Sequence, residues 1–387
     1  MKVARVLFFF VVVLAVYAAI NAYVVYRGVR CFPPGTTART VVLWAGVFIP
    51  LTFIIGRVLE RIWLSEVSDF LVSLGSLWLA AMLYFFLAAL LIDIVRLANH
   101  LVPFLPDALM ERPDRTARIL FWTVSGGVAL LLLAGHINAR IPRVHELTVF
   151  VDKPANGRSS LRIVMASDIH LGTIVGRKRL NGLAQTIREL RPDVVLFPGD
   201  LVDEDLGPVI KDNIGETLRS ITAPYGVFGI TGNHEYIGGA DEAVAYLEEH
   251  GVRMLRDTSV VLDGGITLVG REDRSRSQFS GKRRKPLDQL LENVDRRGPV
   301  IMMDHQPFDL DSVAQSGVDV QLSGHTHHGQ LWPLNVITRL VYEQSWGYLK
   351  KGNTHFYVSS GVGTWGPPVR LGNRPEVVVL TVKFRDL

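Results

Sequence analysis

Apolar positions along this chain fall into two regimes. Up to about residue 140 they come in long unbroken blocks; beyond residue 146 they come in short runs separated by charged and glycine-containing stretches. Residues 7–26 make up twenty positions without a charge, preceded by Lys2 and Arg5 and followed by Arg27 and Arg30. About twenty apolar residues span a hydrocarbon core, whereas a signal-peptide core needs only roughly 7–15. Further blocks at 41–59, 70–92 and 119–138 bring the expectation to four transmembrane helices, with residues 1–140 as a helical membrane region. Gly126 and Gly127, inside the fourth block, would let a neighbouring helix approach closely. The stretch 96–118 mixes leucine, proline, phenylalanine and charge, and is expected to lie along the membrane interface.

In the second regime the period changes. Alternation at 147–151 predicts an edge strand. Short apolar runs at 161–166, 193–197, 226–230, 300–303, 318–322, 354–359 and 377–384 predict further strands, and 260–269 predicts a hairpin turning at Asp263-Gly264-Gly265. Helical spacing appears at 180–190, 209–221, 240–249 and 286–294. Strands alternate with helices early and pair as antiparallel neighbours late. The fold class this predicts for 146–387 is a layered α/β domain with mixed sheets and helices outside, following an N-terminal α-helical transmembrane bundle.

Composition sharpens the first half of this picture. The 387 residues are 48% hydrophobic, and the mean hydropathy of +0.25 is high for a water-soluble protein. No Asp, Glu, Lys or Arg lies within 7–26, 41–56, 70–92 or 119–138, which argues against an ion or substrate pathway and for a plain anchor. An even number of spans puts the N-terminus and the second half on one side. Lys and Arg near the spans divide almost evenly between the two sides, so the positive-inside rule gives no vote. The single cysteine, Cys31, excludes an internal disulfide framework, and the absence of a cysteine pair from the second half points to the cytoplasmic side.

The chemistry sits where the predicted strands end. Asp168-Ile169-His170, Gly199-Asp200, Gly232-Asn233-His234-Glu235, Asp304-His305 and Gly324-His325-Thr326-His327-His328-Gly329-Gln330 each follow a short strand. Asp168, His170, Asp200, Asn233, His305, His325 and His327 offer oxygen and imidazole donors without sulfur, a set that suits Mn²⁺, Fe, Zn²⁺ or Mg²⁺. Seven donors exceed what one ion needs and fit two ions sharing a carboxylate, the established arrangement for displacement at phosphorus. A lone histidine at a strand end is more often a satisfied polar residue than a ligand. Here six of the eleven histidines fall inside these motifs, which makes coincidence a poor account. His100, His136, His145, His250 and His355 have no such support and are read as structural or surface residues.

In residue type and order these motifs resemble the calcineurin-like metallophosphoesterases, over about residues 161–387, and in particular a membrane-anchored bacterial subgroup. The resemblance implies a phosphoesterase domain at 146–387 that hydrolyses a phosphodiester or pyrophosphate bond with two divalent ions, manganese among the candidates. It implies that Asp168, His170 and His327 hold one ion, that Asn233, His305 and His325 hold the other, and that Asp200 bridges them. His234 would be catalytic, near the phosphoryl group rather than on a metal. Asp203 and Glu235 would orient the ligands from behind. The subgroup carries glycine where His328 stands, so His328 is either an extra donor or a tolerated substitution. The run from Ser359 to Arg370 is similar to the subgroup's loop beside the site, with Arg370 available for a phosphate.

Partners follow from the same reading: a lipid bilayer, a membrane-associated phosphorylated substrate, and no nucleic acid. Relatives with this layout include an enzyme that cleaves UDP-2,3-diacylglucosamine, which stands as a candidate substrate. Two alternatives compete. A catalytically silent membrane scaffold should have lost a ligand or His234, and a nuclease should show a broad basic surface or a stacking platform. Residues 271–285 hold seven basic residues against Glu272 and Asp273; a solvated loop is the ordinary explanation, and an arm on anionic lipid or nucleotide phosphate the sharper one. The sequence leaves the oligomeric state open.

Overall fold

The computed structural model describes residues 2–385; Met1, Asp386 and Leu387 lie outside the described residues, as do the side chains at 2–7, 9, 10 and 110. The last two residues of the predicted phosphoesterase domain, and the side chains of Lys2 and Arg5, are therefore not covered. The chain divides into two compact units, Met1–Gly135 and His136–Leu387.

The first unit is helical. α1 (Lys2–Val29), α2 (Thr37–Ile62), α3 (Glu66–Leu101) and α5 (Pro113–Asn138) are long and apolar enough to cross a membrane, with the short α4 (Asp107–Met110) between the last two. α2 and α3 begin ahead of their apolar blocks, at capped N-termini. Thr36 accepts from the Arg39 amide, and Ser65 and Ser68 form a reciprocal capping box. Close helix approach does occur, but not where the glycine pair predicts it. A Cβ on Gly126 or Gly127 would meet no described atom, whereas one on Gly56 would press on the Val72 amide at 2.6 Å, and Gly75 lies against the Phe53 backbone. The buried amide of Asn21 is satisfied: it donates to the Tyr17 carbonyl at 2.8 Å and accepts from Trp78 Nε1 at 2.8 Å.

The second unit is a sandwich of two six-stranded sheets. Its strands are β1 (Arg143–Pro154), β2 (Ser160–Met165), β3 (Val194–Phe197), β4 (Val227–Gly229), β5 (Arg253–Met254), β6 (Thr258–Leu262), β7 (Ile266–Gly270), β8 (Val300–Met303), β9 (Val320–Ser323), β10 (Gly347–Lys351), β11 (Thr354–Val358) and β12 (Glu376–Arg385). One sheet has the order β1-β12-β2-β3-β4-β5, the other β10-β11-β9-β8-β7-β6. The helices are α6 (Arg177–Glu189), α7 (Gly207–Lys211), α8 (Gly215–Arg219), α9 (Asn233–Gly238), α10 (Ala240–Glu249), α11 (Arg276–Phe279), α12 (Leu287–Leu290), α13 (Leu310–Ala314) and α14 (Leu334–Val341).

Alternation sorts the layers. Ile163 and Met165 of β2 face the other sheet and pack with Leu268, Ile301, Leu322 and Tyr357, while Val164 faces outward with Leu183, Ile187 and Leu247 of the covering helices. Three expectations change. The helix expected over 209–221 is two short ones, because Asn213 takes a left-handed φ of 48° between them. Of the helix expected at 286–294 only Leu287–Leu290 is helical. The late strands are not mainly antiparallel: β7, β8, β9 and β11 run parallel, and antiparallel partners appear at the two edges of that sheet.

Candidate metal centre

The parallel strands β2, β3 and β4 of one sheet and β8 and β9 of the other all end toward one rim, and a candidate residue follows each end. Backbone bonds lock these loops together: the Asp168 amide donates to the Gly199 carbonyl at 3.1 Å, His170 to Asp200 at 3.0 Å, and Gly324 to His305 at 3.0 Å. The loops turn sharply. Asp168, His170, Asp200, His325 and His327 all have φ between 45° and 71°. Five non-glycine residues in the left-handed region at one rim mark backbone strain held in place by the surrounding packing, and it re-aims their side chains away from the strand direction.

Three donor groups form among the described residues, and two of them contain the predicted ligands. Asp168, His170 and His327 bring one ligand atom each within 4.8 Å of one another, and so do Asp200, His305 and His325. Asn233 Oδ1 joins the second group, 2.7 Å from His325 Nδ1 and 3.3 Å from His305 Nε2. Asp200 Oδ2 stands between the groups, 3.1 Å from His305 Nε2 and 3.9 Å from His170 Nε2.

The residues fit cations. Asp168 is fully buried, yet its Oδ2 has no hydrogen-bond partner, a costly arrangement for a carboxylate. His170 Nε2 and His327 Nε2 face one another at 3.0 Å, and the Asp168 carboxylate is 3.5 Å from the latter. His305 gives Nδ1–H to the Pro198 carbonyl at 2.8 Å, which turns Nε2 inward, and although burial works to lower it the carboxylates of Asp200 and Asp168 raise this ring well above the usual imidazole range while no cation competes for it. Burial, followed by the neighbouring His305, pushes His325 down to about 3. Burial, His170 and Arg370 hold His327 well below the usual imidazole range. Both rings are thus neutral, the ligating form. Burial works to raise Asp200, but His305 and His234 beside it hold its carboxyl well below the ordinary carboxylate range.

His234 is in neither of these two groups but forms the third with His170 and Asp203, their ligand atoms also within 4.8 Å of one another. Its Nδ1 is 3.1 Å from Asp203 Oδ1, and its ring meets the His170 ring edge-on at 4.5 Å. Burial would lower it, but the charges of Asp200, Asp203 and Glu204 prevail and raise it to about 9. Asp203 also approaches His170 Nδ1 at 3.6 Å. Glu235 binds backbone on both sides of the rim: Oε1 accepts from Val202, and Oε2 from Gly232 and Asp200.

Two predicted residues are placed differently. Arg370 is 0% exposed. It donates from Nε and Nη2 to the Gly363 carbonyl, from Nη2 to Gly361 and from Nη1 to Asn373 Oδ1, and Nη2 lies 3.1 Å from His327 Nδ1. It lies behind a candidate ligand and is not available for a phosphate. His328 does not face the donors either; it is buried against Trp346, with Nδ1 3.2 Å from Ser345 Oγ. The loop from Ser359 to Arg370 does lie beside the site, since Gly363 donates to the Asp168 carbonyl at 2.8 Å.

The basic stretch at 271–285 is largely neutralised. Arg271 and Arg284 both pair with the buried Asp304, Arg276 pairs with Asp257, and Arg274 pairs with Asp309 and lies over Phe308. The Lys285 ammonium donates to the Asp257 carbonyl. Arg271 and Arg284 of this segment brace the Asp304-His305 corner, while Lys282 and Arg283 stay exposed. The pairing of Asp304 with Arg271 and Arg284, and the hold of Asn373 on the His327 and His328 carbonyls, escaped sequence reasoning because these partners lie twenty or more residues apart.

Comparison with known proteins agrees with this geometry. Residues 161–329 match the family model described as calcineurin-like phosphoesterase. An uncharacterized metallophosphoesterase of Aquifex aeolicus is 32% identical over 66% of this chain and 98% of its own length. One from Helicobacter pylori is also 32% identical, over 62% of this chain and 63% of its own. A transmembrane protein with metallophosphoesterase domain from Danio rerio is 31% identical over 66% of this chain and 61% of its own. The family uses a dinuclear divalent-metal site, and with its four apolar helices the protein is membrane-associated. The chain therefore belongs to the calcineurin-like metallophosphoesterase family and is a metal-dependent phosphoester hydrolase.

Proposed function

We propose that this protein is a membrane-anchored phosphoesterase that cleaves a phosphodiester or pyrophosphate bond on a lipid-linked substrate. The observation that carries the reading is the position of Asp200, which belongs to the donor group of His305 and His325 and also faces His170 of the Asp168-His170-His327 group. Asp168, His170 and His327 would hold one ion, Asn233, His305 and His325 would hold the other, and Asp200 would serve both. Two such ions supply an activated water and neutralise charge on the reacting phosphoryl group.

The chain's own residues do the rest. Asp203 holds His234 at Nδ1, so Nε2 is the nitrogen left to meet a substrate oxygen. Charged as its carboxylate neighbours keep it, His234 gives the leaving oxygen its proton from Nε2 as the bond to phosphorus breaks. Glu235 ties the Asp200 loop to the Asn233 turn and keeps the two donor groups in register. Buried Arg370 keeps His327 neutral and oriented.

Four membrane crossings would put both ends of the chain on one side, and we assign that side to the cytoplasm, where nucleotide-linked lipid precursors are found. The experiment is a ³¹P NMR assay of the detergent-solubilised full chain with Mn²⁺. Its panel spans simple diesters, phospholipids and UDP-2,3-diacylglucosamine, with Asp200→Asn as control. Release of UMP from the sugar lipid, absent in Asp200→Asn, supports a pyrophosphatase on that substrate class. Cleavage of the other diesters alone keeps the chemistry and discards the nucleotide lipid. No hydrolysis with both metals bound overturns the enzymatic reading.

A further inference from the structure

α14 is built inside out. It contains no buried residue, and Val336, Ile337, Leu340 and Val341 recur at helical spacing on its outward face. Leu340 is 82% exposed, and Trp332 and Trp346, at either side of the helix in sequence, are 56% and 45% exposed. A water-facing helix normally carries charge on that face, and aromatic rings at the rim of such a patch are characteristic of a membrane interface.

The helix is fixed to the metal centre. It follows the His327–Gly329 turn, and a Cβ on Gly329 would press on the Leu334–Asn335 backbone. Tyr342, the next residue after α14, has its ring 6.1 Å from that of His325. The helix is also fixed to the end of α5, whose last turn belongs to the second unit. There Asn138 Nδ2 donates to the carbonyls of Arg370 at 2.9 Å and Asn373 at 2.7 Å, and His136 Nδ1 donates to that of Pro368 at 2.8 Å. The same loop accepts the Trp332 amide on Leu371 at 2.8 Å. Within the second unit, residues 368–373 thus contact both His136 and Asn138 and the Trp332 amide just ahead of the exposed apolar helix.

We infer that α14, with Trp332 and Trp346, docks into the lipid interface and holds the mouth of the dinuclear site against the headgroup layer. An amphipathic helix of this kind lies in the interface plane with its apolar face among the acyl chains. The inference rests on the reading of the apolar helices as membrane-crossing. It specifies that the substrate is taken from the bilayer surface.

The test uses the full chain with Cys31→Ser and a fluorescent nitrobenzoxadiazole label on Leu340→Cys, reconstituted in vesicles of phosphatidylcholine and phosphatidylglycerol. A label on Val261→Cys, an exposed strand position, is the control. Docking predicts that the label at 340 is quenched by doxyl-labelled lipid and shielded from aqueous iodide, with the reverse at 261. It also predicts that Ile337→Asp abolishes the doxyl quenching at 340 while leaving turnover of soluble bis(p-nitrophenyl) phosphate unchanged. Equal iodide access at both sites overturns the inference. So does shielding from iodide without doxyl quenching, which would mean a protein covers the face, and so does doxyl quenching that survives Ile337→Asp. Because depth is read without turnover, a docked but inactive protein would sink the phosphoesterase reading and leave the docking intact.

Discussion

Replacing Arg370 by Met separates a residue that supports the site from one that binds substrate. Met keeps much of the side-chain volume and removes the guanidinium. The buried carbonyl oxygens of Gly361 and Gly363 then lose their Arg370 donors, while Asn373, which is only half-buried, can turn to water. Each buried acceptor left unpaired costs about 1–3 kcal/mol. Part of that is offset, because burial penalises the cation strongly enough to bring Arg370 down to about 9. The net loss should be about 2–4 kcal/mol. For a unit of about this size that is a fall of about 4–16 °C in apparent melting temperature. His327 loses the group behind its Nδ1, so Mn²⁺ affinity should fall about 10–100-fold. The measurements are a melting curve in detergent with and without Mn²⁺, and a metal titration. A variant that melts and binds Mn²⁺ like the parent, with only KM raised, would show that Arg370 touches the substrate and would refute the placement argued above.

Other consequences can be checked with the same preparation. His234→Ala should retain both metals and lose about 10²–10⁴ in kcat; loss of one metal would make His234 a ligand. Gly199→Ala should lower metal stoichiometry from two towards one, since a Cβ there would lie 2.6 Å from His305 Nδ1 and 3.0 Å from Gly232 Cα, at a φ of 90°; full occupancy would show that His305 moves without cost. In metal-free protein His234 is raised from 6.5 to about 9. A raised group contributes stability that is fully present below its unfolded value and lost as pH rises through its folded value. The stability gap between parent and His234→Ala should therefore be widest below about pH 6.5 and narrow through about pH 9. Denaturant titrations in EDTA showing a gap that does not change with pH would remove the charge pairing with Asp203 from the account.

Much of the site was legible along the chain, because each donor follows a short apolar run that can only be a buried strand, and strand ends in a layered α/β unit share a rim. The four apolar blocks were legible for a similar reason: length and the absence of charge are local properties. What the sequence could not supply is what lies on the far side of each loop. Arg370 reads as an exposed basic residue after Pro367-Pro368, yet tertiary packing closes the Gly361–Gly363 carbonyls around it and turns a would-be phosphate ligand into a brace for His327. Arg271 and Arg284 read as part of a basic arm until Asp304, twenty and more residues away, gathers them in. The glycines that let helices touch, Gly56 and Gly75, are not the conspicuous pair. The sequence reading assigns no element to 334–341, and only the fold shows a helix there with its apolar positions facing outward. Local pattern determines which residues can do chemistry, and long-range packing decides which of them are free to do it.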